Sequence, residues 1–187
     1  MRTSKVCGTI LTLLVCGVLV GCSNTQNKYP DVSSQIRNAL DQAGLKDVSV
    51  NQDRDKGLVT LSGTTVSDSD RGQAESIAKS IASSEVVSDQ IAVRPTGQES
   101  TAKTVDSDLD KGIEKNFDAV LVKHKLDSNV KYDVKNGVVT LKGKVKSESQ
   151  RDDVEKLASN VPNVRQVVNE LEVHGHKATT SKASSSD

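Results

Sequence analysis

The chain has 187 residues, with 25 basic residues against 25 acidic ones and no net formal charge. That balance excludes the clustered basic excess of a nucleic-acid-binding surface. Tyr29, Phe117 and Tyr132 are its only aromatic residues, which argues against stacking platforms for bases or sugars and leaves the core to Val, Ile, Leu and Ala, a composition suited to small domains.

In chain order, Arg2 and Lys5 precede an apolar run from Val6 to Val20. The run is shorter than the roughly 20 apolar residues needed to span a bilayer. A basic start, a short apolar stretch and a small-residue cleavage site describe a secretory signal peptide over 1–21. The site, Leu19-Val20-Gly21-Cys22, resembles the lipobox of bacterial lipoproteins. This resemblance implies that Cys22 carries a diacylglycerol, that the chain is cut before it, and that the new amino group is often acylated by a fatty acid such as palmitate. Two or three acyl chains meet the requirement of two signals for stable anchoring. Ser23, where Asp would favour the inner membrane, implies an outer-membrane protein facing the periplasm. Cys7 and Cys16 leave with the signal peptide, so the mature chain has no partner for Cys22 and no disulfide. Its charge is then 23 basic against 25 acidic residues (25 minus Arg2 and Lys5), near −2. Residues 22–30 read as a lipidated tether, and Ser23–Pro30 reaches at most about 28 Å.

Val32–Ala43 places Ile36, Ala39, Leu40 and Ala43 at helical spacing. A hairpin follows, with Lys56-Gly57 at its turn. Ser67-Asp-Ser-Asp70 is an N-cap signature before a helix with Ala74, Ile77, Ala78 and Ile81 on one face. Val87, Ile91 and Val93 mark a last strand. Pro95–Val105 is polar with no apolar period, and reads as a flexible linker. The same order then returns. A helix over Asp108–Lys123 carries Leu109, Ile113, Phe117, Val120 and Leu121; Val130, Tyr132 and Val134 alternate up to Asn136-Gly137; and Val139, Leu141 and Val145 follow. Asn-Gly between alternating runs is a strong type I′ hairpin signal, because both central residues need positive φ. Ser147-Glu-Ser-Gln150 fits a capping box, ahead of Val154, Leu157, Ala158 and Val161, and Val167, Leu171 and Val173 form the final strand. Residues 175–187 are of low complexity and are expected to be disordered.

The two halves are copies. Gly57-Leu-Val-Thr-Leu-Ser-Gly63 lies on Gly137-Val-Val-Thr-Leu-Lys-Gly143 at an offset of 80 (137 minus 57), and the register continues without a gap through Arg71 on Arg151, Glu75 on Glu155 and Val93 on Val173. The expected fold class is α/β (α+β), as two tandem αββαβ domains at 31–94 and 106–174. Each has two helices packed on one face of a three-stranded mixed sheet.

The pattern G-[LV]-V-T-L-x-G, then Ser and a capped helix, then Val164-Arg-Gln-Val-Val-Asn-Glu-Leu-Glu-Val173, resembles the BON (bacterial OsmY and nodulation) domain, and the whole chain resembles dual BON-domain lipoproteins. The second copy is the better match. The first departs from it with Ser84 and Asp89 where Val164 and Asn169 stand, and it lacks Asn-Gly. The resemblance implies phospholipid binding or support of envelope integrity under stress. Its marker residues, Gly57, Gly63, Gly137 and Gly143 among them, are structural and speak for fold rather than activity.

Candidate ligand-binding residues come from the charge pattern. Lys142, Lys144 and Lys146 alternate, so a strand that continues that far sets all three on one face, opposite Leu141 and Val145. Each lysine near an anionic bilayer contributes about 1 kcal/mol, which would draw the second domain onto anionic phospholipid. The competing reading is structural, with the lysines blunting an exposed strand or pairing with Glu170 and Glu172. Lys111, Lys115, Lys123 and Lys125 interleave with Asp108, Asp110, Glu114 and Asp118 and read as a solvated helix face. No catalytic residues, cofactor or metal site are expected. His174-Gly-His176 lacks a second cluster at zinc spacing, the acidic pairs at Asp68/Asp70 and Asp152/Asp153 favour first helical turns, and no glycine-rich phosphate loop opens a helix. Three functions follow as expectations: a phospholipid-binding envelope lipoprotein, a non-catalytic adaptor docking envelope proteins, and a passive stress-induced stabiliser.

Overall fold

The computed structural model describes residues 28–174 and the backbone of 181 and 182. The expected signal peptide, Cys22, most of the expected tether and most of the tail lie outside the described residues. The first domain runs α1 (Ser33–Gln42), β1 (Val48–Asp53), β2 (Leu58–Thr65), α2 (Asp68–Ala82), β3 (Val86–Asp89) and β4 (Ala92–Val93). The second runs α3 (Glu99–Lys123), β5 (Val130–Lys135), β6 (Val138–Val145), α4 (Glu148–Ser159) and β7 (Gln166–Val173), with β8 (Ser181–Lys182) after it. Both sheets are mixed. The hairpins β1–β2 and β5–β6 are antiparallel, and the last strands return parallel to β2 and β6.

Capping sets where the second helix of each copy begins. The Ser67 hydroxyl accepts the Asp70 N–H at 3.1 Å and the Ser147 hydroxyl accepts the Gln150 N–H at 3.2 Å. One face of each sheet then buries the helices. In the first domain Ile36 and Leu40 of α1 and Ala74 and Ala78 of α2 pack on Val59, Leu61 and Ile91. In the second, Ile113, Phe117 and Leu121 of α3 and Val154 and Ala158 of α4 pack on Val139, Leu141 and Leu171. Phe117 meets Tyr132 edge to face at 5.0 Å and 74°.

Two of the marker glycines lie at the open ends of the hairpins, opposite Val48 and Val130. Gly63 (φ 104°) and Gly143 (φ 121°) hold left-handed conformations, and a Cβ on either would overlap the carbonyl of Asp47 or Asn129. That approach lets the Thr64 and Lys144 N–H groups reach the same carbonyls at 3.2 and 3.3 Å.

Several expectations are corrected. Residues 95–105 are not a flexible linker throughout: from Glu99 they form the first turns of α3. The Glu99 carboxylate accepts the Gly97 N–H at 2.8 Å and Asp106 pairs with Arg94 at the end of the first domain. A helix continued from a packed segment needs no apolar stripe of its own, because nucleation is already met. The first hairpin turns through four residues, 54–57, rather than through a two-residue Lys56-Gly57 turn, since Asp53 pairs with Leu58. The Asp53 carboxylate accepts the N–H groups of Asp55 and Lys56, each at 3.1 Å. Asn136 (φ 49°) and Gly137 (φ 76°) do form the two-residue turn. The last strand of the first copy is split into β3 and β4 in a single register on β2. In the tail, Ser181 and Lys182 pair with Asn169 and Val168 of β7, so that short stretch is ordered backbone.

Gly143→Ala is expected to cost about 1–3 kcal/mol from φ strain alone, with the carbonyl overlap added. Gly112→Ala, within α3 and with open space around the new methyl, is expected to gain up to about 1 kcal/mol. Thermal unfolding followed by circular dichroism checks the contrast; equal midpoints for the two variants would refute it.

Candidate functional site: a lysine face beside the interdomain contact

Strand alternation places Lys142 and Lys144 on the outer face of the second sheet, both exposed, while Leu141 and Val145 point into the core. Lys131 of β5 stands opposite Lys142 in the ladder and is exposed on the same face. Lys146 does not join them. β6 ends at Val145, and the Lys146 N–H donates to Gln150 Oε1 at 2.8 Å as the chain turns into α4. The pairing expected with the neighbouring strand is present in part. Lys144 Nζ lies 3.8 Å from Glu172 Oε2, the two side chains being 71% and 46% exposed, where such a pair contributes little. Glu170, beside Lys142 in register, is turned to another partner.

That partner belongs to the first domain. Lys56 Nζ lies 2.5 Å from Glu170 Oε2, and Glu170 is only 6% exposed along its side chain against 40% for Lys56. The hydrogen bond to Glu170 raises the pKa of the Lys56 amine. The two sheets meet here by their outer faces. Leu58 and Val86 of the first domain pack with Val138 and Val168 of the second into a small buried cluster. Gln166 reaches from β7 to the backbone of β3, its Oε1 accepting the Asp89 N–H at 3.0 Å and its Nε2 donating to the Val87 carbonyl at 2.7 Å.

The contact follows a pseudo-two-fold axis. Leu58 and Val138 are equivalents at the offset of 80 and both lie in the cluster. Lys56 reaches Glu170, and its equivalent Asn136 donates from Nδ2 to the carbonyl of Gln90, the equivalent of Glu170, at 2.8 Å. What distinguishes the two halves is charge. Asp89, standing where the second copy has Asn169, has its Oδ2 3.6 Å from Arg71 Nε and 3.6 Å from Arg165 NH1 of the second domain. Burial raises the Asp89 pKa and lowers that of Arg165. Asn169, by contrast, donates to Glu155 at 2.7 Å inside its own domain.

Sequence reasoning missed three contributors. Asp110, assigned to a solvated helix face, accepts the Asn136 and Gly137 N–H groups at 2.8 Å each and so holds the second hairpin turn against α3. Arg165 donates from Nε to the Asn136 carbonyl at 2.8 Å, and Gln166 bridges the domains. The offset itself held one signal, because these positions differ between copies that otherwise match. Two hollows of about 620 and 230 Å³ border the contact and share Ala92, Asp106, Asp110 and Asn136. Among the described residues no three His, Cys, Asp or Glu side chains gather as metal ligands, and no helix is long and apolar enough to cross a membrane.

A family model described as BON domain matches residues 30–95 and 109–175. The chain is similar to the osmotically-inducible protein Y of Escherichia coli (strain K12), at 30% identity over 143 residues, covering 75% of this chain and 70% of that protein. Among solved structures it is similar to the C-terminal domain of CdsD, described as the structural protein of the type III secretion system of Chlamydia trachomatis, at 16% identity. That overlap has a TM-score of 0.29 and covers 76% of this chain and 65% of the other, so the chain spans less than two thirds of its length.

Lys56→Glu and Glu170→Lys are each expected to lower stability by about 1–2 kcal/mol, below the cost of breaking a fully buried pair because Lys56 is partly solvated. The double reversal is expected to recover more than half of the summed loss. Urea unfolding of the four proteins measures the coupling, and strictly additive losses would refute the pair. Asp89 predicts a pH effect of definite sign. With its folded pKa raised above 3.8, its stabilising contribution is greatest at acid pH and declines as pH rises through the raised value. Asp89→Asn is expected to remove that decline from a plot of unfolding midpoint against pH; a variant with an unchanged slope would contradict it.

Proposed function

We propose a function from a fixed premise, that this chain belongs to the BON domain family and carries two copies of its domain. On this reading it is a non-catalytic lipoprotein of the cell envelope, held at the outer membrane through Cys22 and facing the periplasm. Its second domain contacts anionic phospholipid and thereby supports envelope integrity under osmotic or related stress. The similarity to an osmotically inducible protein supports the stress setting. The observation that carries the lipid contact is the exposed face of Lys131, Lys142 and Lys144, of which Lys142 has no ion pair among the described residues. Three lysines near an anionic surface add roughly 1 kcal/mol each, enough to orient a protein that is already anchored but too little to recruit a free one at high salt.

A second reading, as an adaptor for envelope proteins, has its own observation. α3 leaves Val105, Leu109 and Val122 exposed at 51%, 42% and 64%, apolar surface suited to a protein partner.

Co-sedimentation of the unlipidated fragment 23–187 separates the two. Binding to phosphatidylglycerol-containing vesicles at low salt, absent on pure phosphatidylcholine and reduced several-fold by Lys142→Glu with Lys144→Glu, is the expected result. No binding to anionic vesicles at low salt would end the phospholipid reading and leave the adaptor.

A further inference from the structure

The first residues described are not loose chain. The Tyr29 N–H donates to the Arg54 carbonyl at 3.1 Å, and Arg54 Nε returns a hydrogen bond to the Tyr29 carbonyl at 2.9 Å. Gln52 Nε2 donates to the Pro30 carbonyl at 2.8 Å, while its Oε1 accepts the Val32 N–H at 3.0 Å. The Tyr29 ring lies directly on Gly57, where any Cβ would overlap it, and Lys28 Nζ sits 5.5 Å from the centre of that ring. The N-terminal segment is thus clasped to the tip of the first hairpin.

That tip is the part of the first domain that reaches the second. Lys56, next to Gly57, meets Glu170 on the outer face of the second sheet, and Glu170 is the register neighbour of Lys142. Tyr29, Gly57, Lys56, Glu170 and Lys142 form a continuous path. Tyr29 is therefore held at the hairpin tip whose Lys56 touches the sheet face that presents Lys131, Lys142 and Lys144.

We propose that this clasp is a positioning device, which sets the exit point of the lipid tether so that the outer face of the second sheet is turned toward the leaflet holding the anchor. The partner surface is that leaflet, and the inference rests on Cys22 being the lipidated residue. From Cys22 to Tyr29 the chain takes seven Cα steps, about 25 Å when extended. That is comparable with the width of one domain, so moving the exit point changes which face the membrane meets. A tether free from residue 30 or beyond would not select a face. The hairpin's four-residue turn is what carries Arg54 and Gly57 into reach of Tyr29.

The test uses the full lipidated chain in vesicles whose lipids carry a headgroup nitroxide, with a fluorophore on a single introduced cysteine. The mature chain has no cysteine other than Cys22, so labelling is specific. Asp133→Cys reports the lysine face and Asp153→Cys reports α4 on the opposite side; both positions are exposed and acidic. In pure phosphatidylcholine vesicles, where lysine attraction is absent, the label at 133 is expected to be quenched at least twofold more than the label at 153. Tyr29→Ala with Arg54→Ala is expected to bring the two to equality without loss of the folded circular dichroism spectrum. Equal quenching in the parent chain, or an inequality that survives loss of the clasp, overturns the proposal, as does a purified chain whose mass lacks acyl chains. The lysine reading is judged separately by the unlipidated fragment on anionic vesicles. Unequal quenching with no such binding leaves the clasp standing and the lysine reading refuted, and the reverse result does the opposite.

Discussion

Four apolar side chains in the wrong place for a solvated sheet face decide the shape of this protein. Leu58, Val86, Val138 and Val168 alternate outward, away from the helices, yet all are buried. An outward-facing aliphatic on a two-layer domain is hydrated unless a second surface covers it, and burial of each such side chain is worth about 1.5–3 kcal/mol. Here each domain covers the other. Once those four meet, Gln166 is within reach of the backbone of β3, Lys56 of Glu170 and Asn136 of Gln90. The polar bonds give direction to a contact whose drive is apolar.

The contact also shows how a duplication becomes specific. A patch pairing with its own copy across a two-fold axis is the natural geometry of identical domains. Here the axis is retained and the partners have diverged: Lys56 against Asn136, Glu170 against Gln90, Asp89 against Asn169. Opposite charges now stand across the contact where a pairing of like copies would set Asn136 against Glu170 or leave Asp89 without Arg165. Discrimination of this kind comes as much from penalising the wrong pairing as from rewarding the right one.

The outer faces therefore serve two purposes at their two ends. Near the start of β2 and β6 they are dry and hold the domains together. Toward the end of β6 the same face is wet and basic, with Lys142 and Lys144 exposed. The first hairpin tip lies at the boundary, touching Glu170 on one side and holding Tyr29 on the other. The helix that joins the domains reinforces this arrangement, since α3 is tied to the first domain through Arg94 and Asp106 and to the second hairpin through Asp110.

Much of this was legible in the residues alone. The repeat, the element order, the Ser67 and Ser147 caps, the Asn136-Gly137 turn and the core faces are local patterns with periods of 2 or 3.6 and fixed cap spacings, and such patterns survive without tertiary information. The lysine face was legible as far as strand alternation extends, which is through Lys144 and not Lys146. The helical start of α3 was hidden, because Glu99–Val105 has no apolar period and what holds it is a Glu99 carboxylate bonded to the Gly97 N–H and an ion pair to another element. Asp110, Gln166 and Arg165 were hidden for the same reason. A carboxylate that caps a distant turn and an amide that extends a neighbouring ladder look like any solvated polar residue until two surfaces are brought together. The sequence by itself determined two domains of one fold and the faces of their strands. Which faces pair, and where the N-terminal segment is held, only the tertiary structure decided, because the first depends on side chains 46 to 114 positions apart and the second on groups 22 to 25 apart, meetings that no local period encodes.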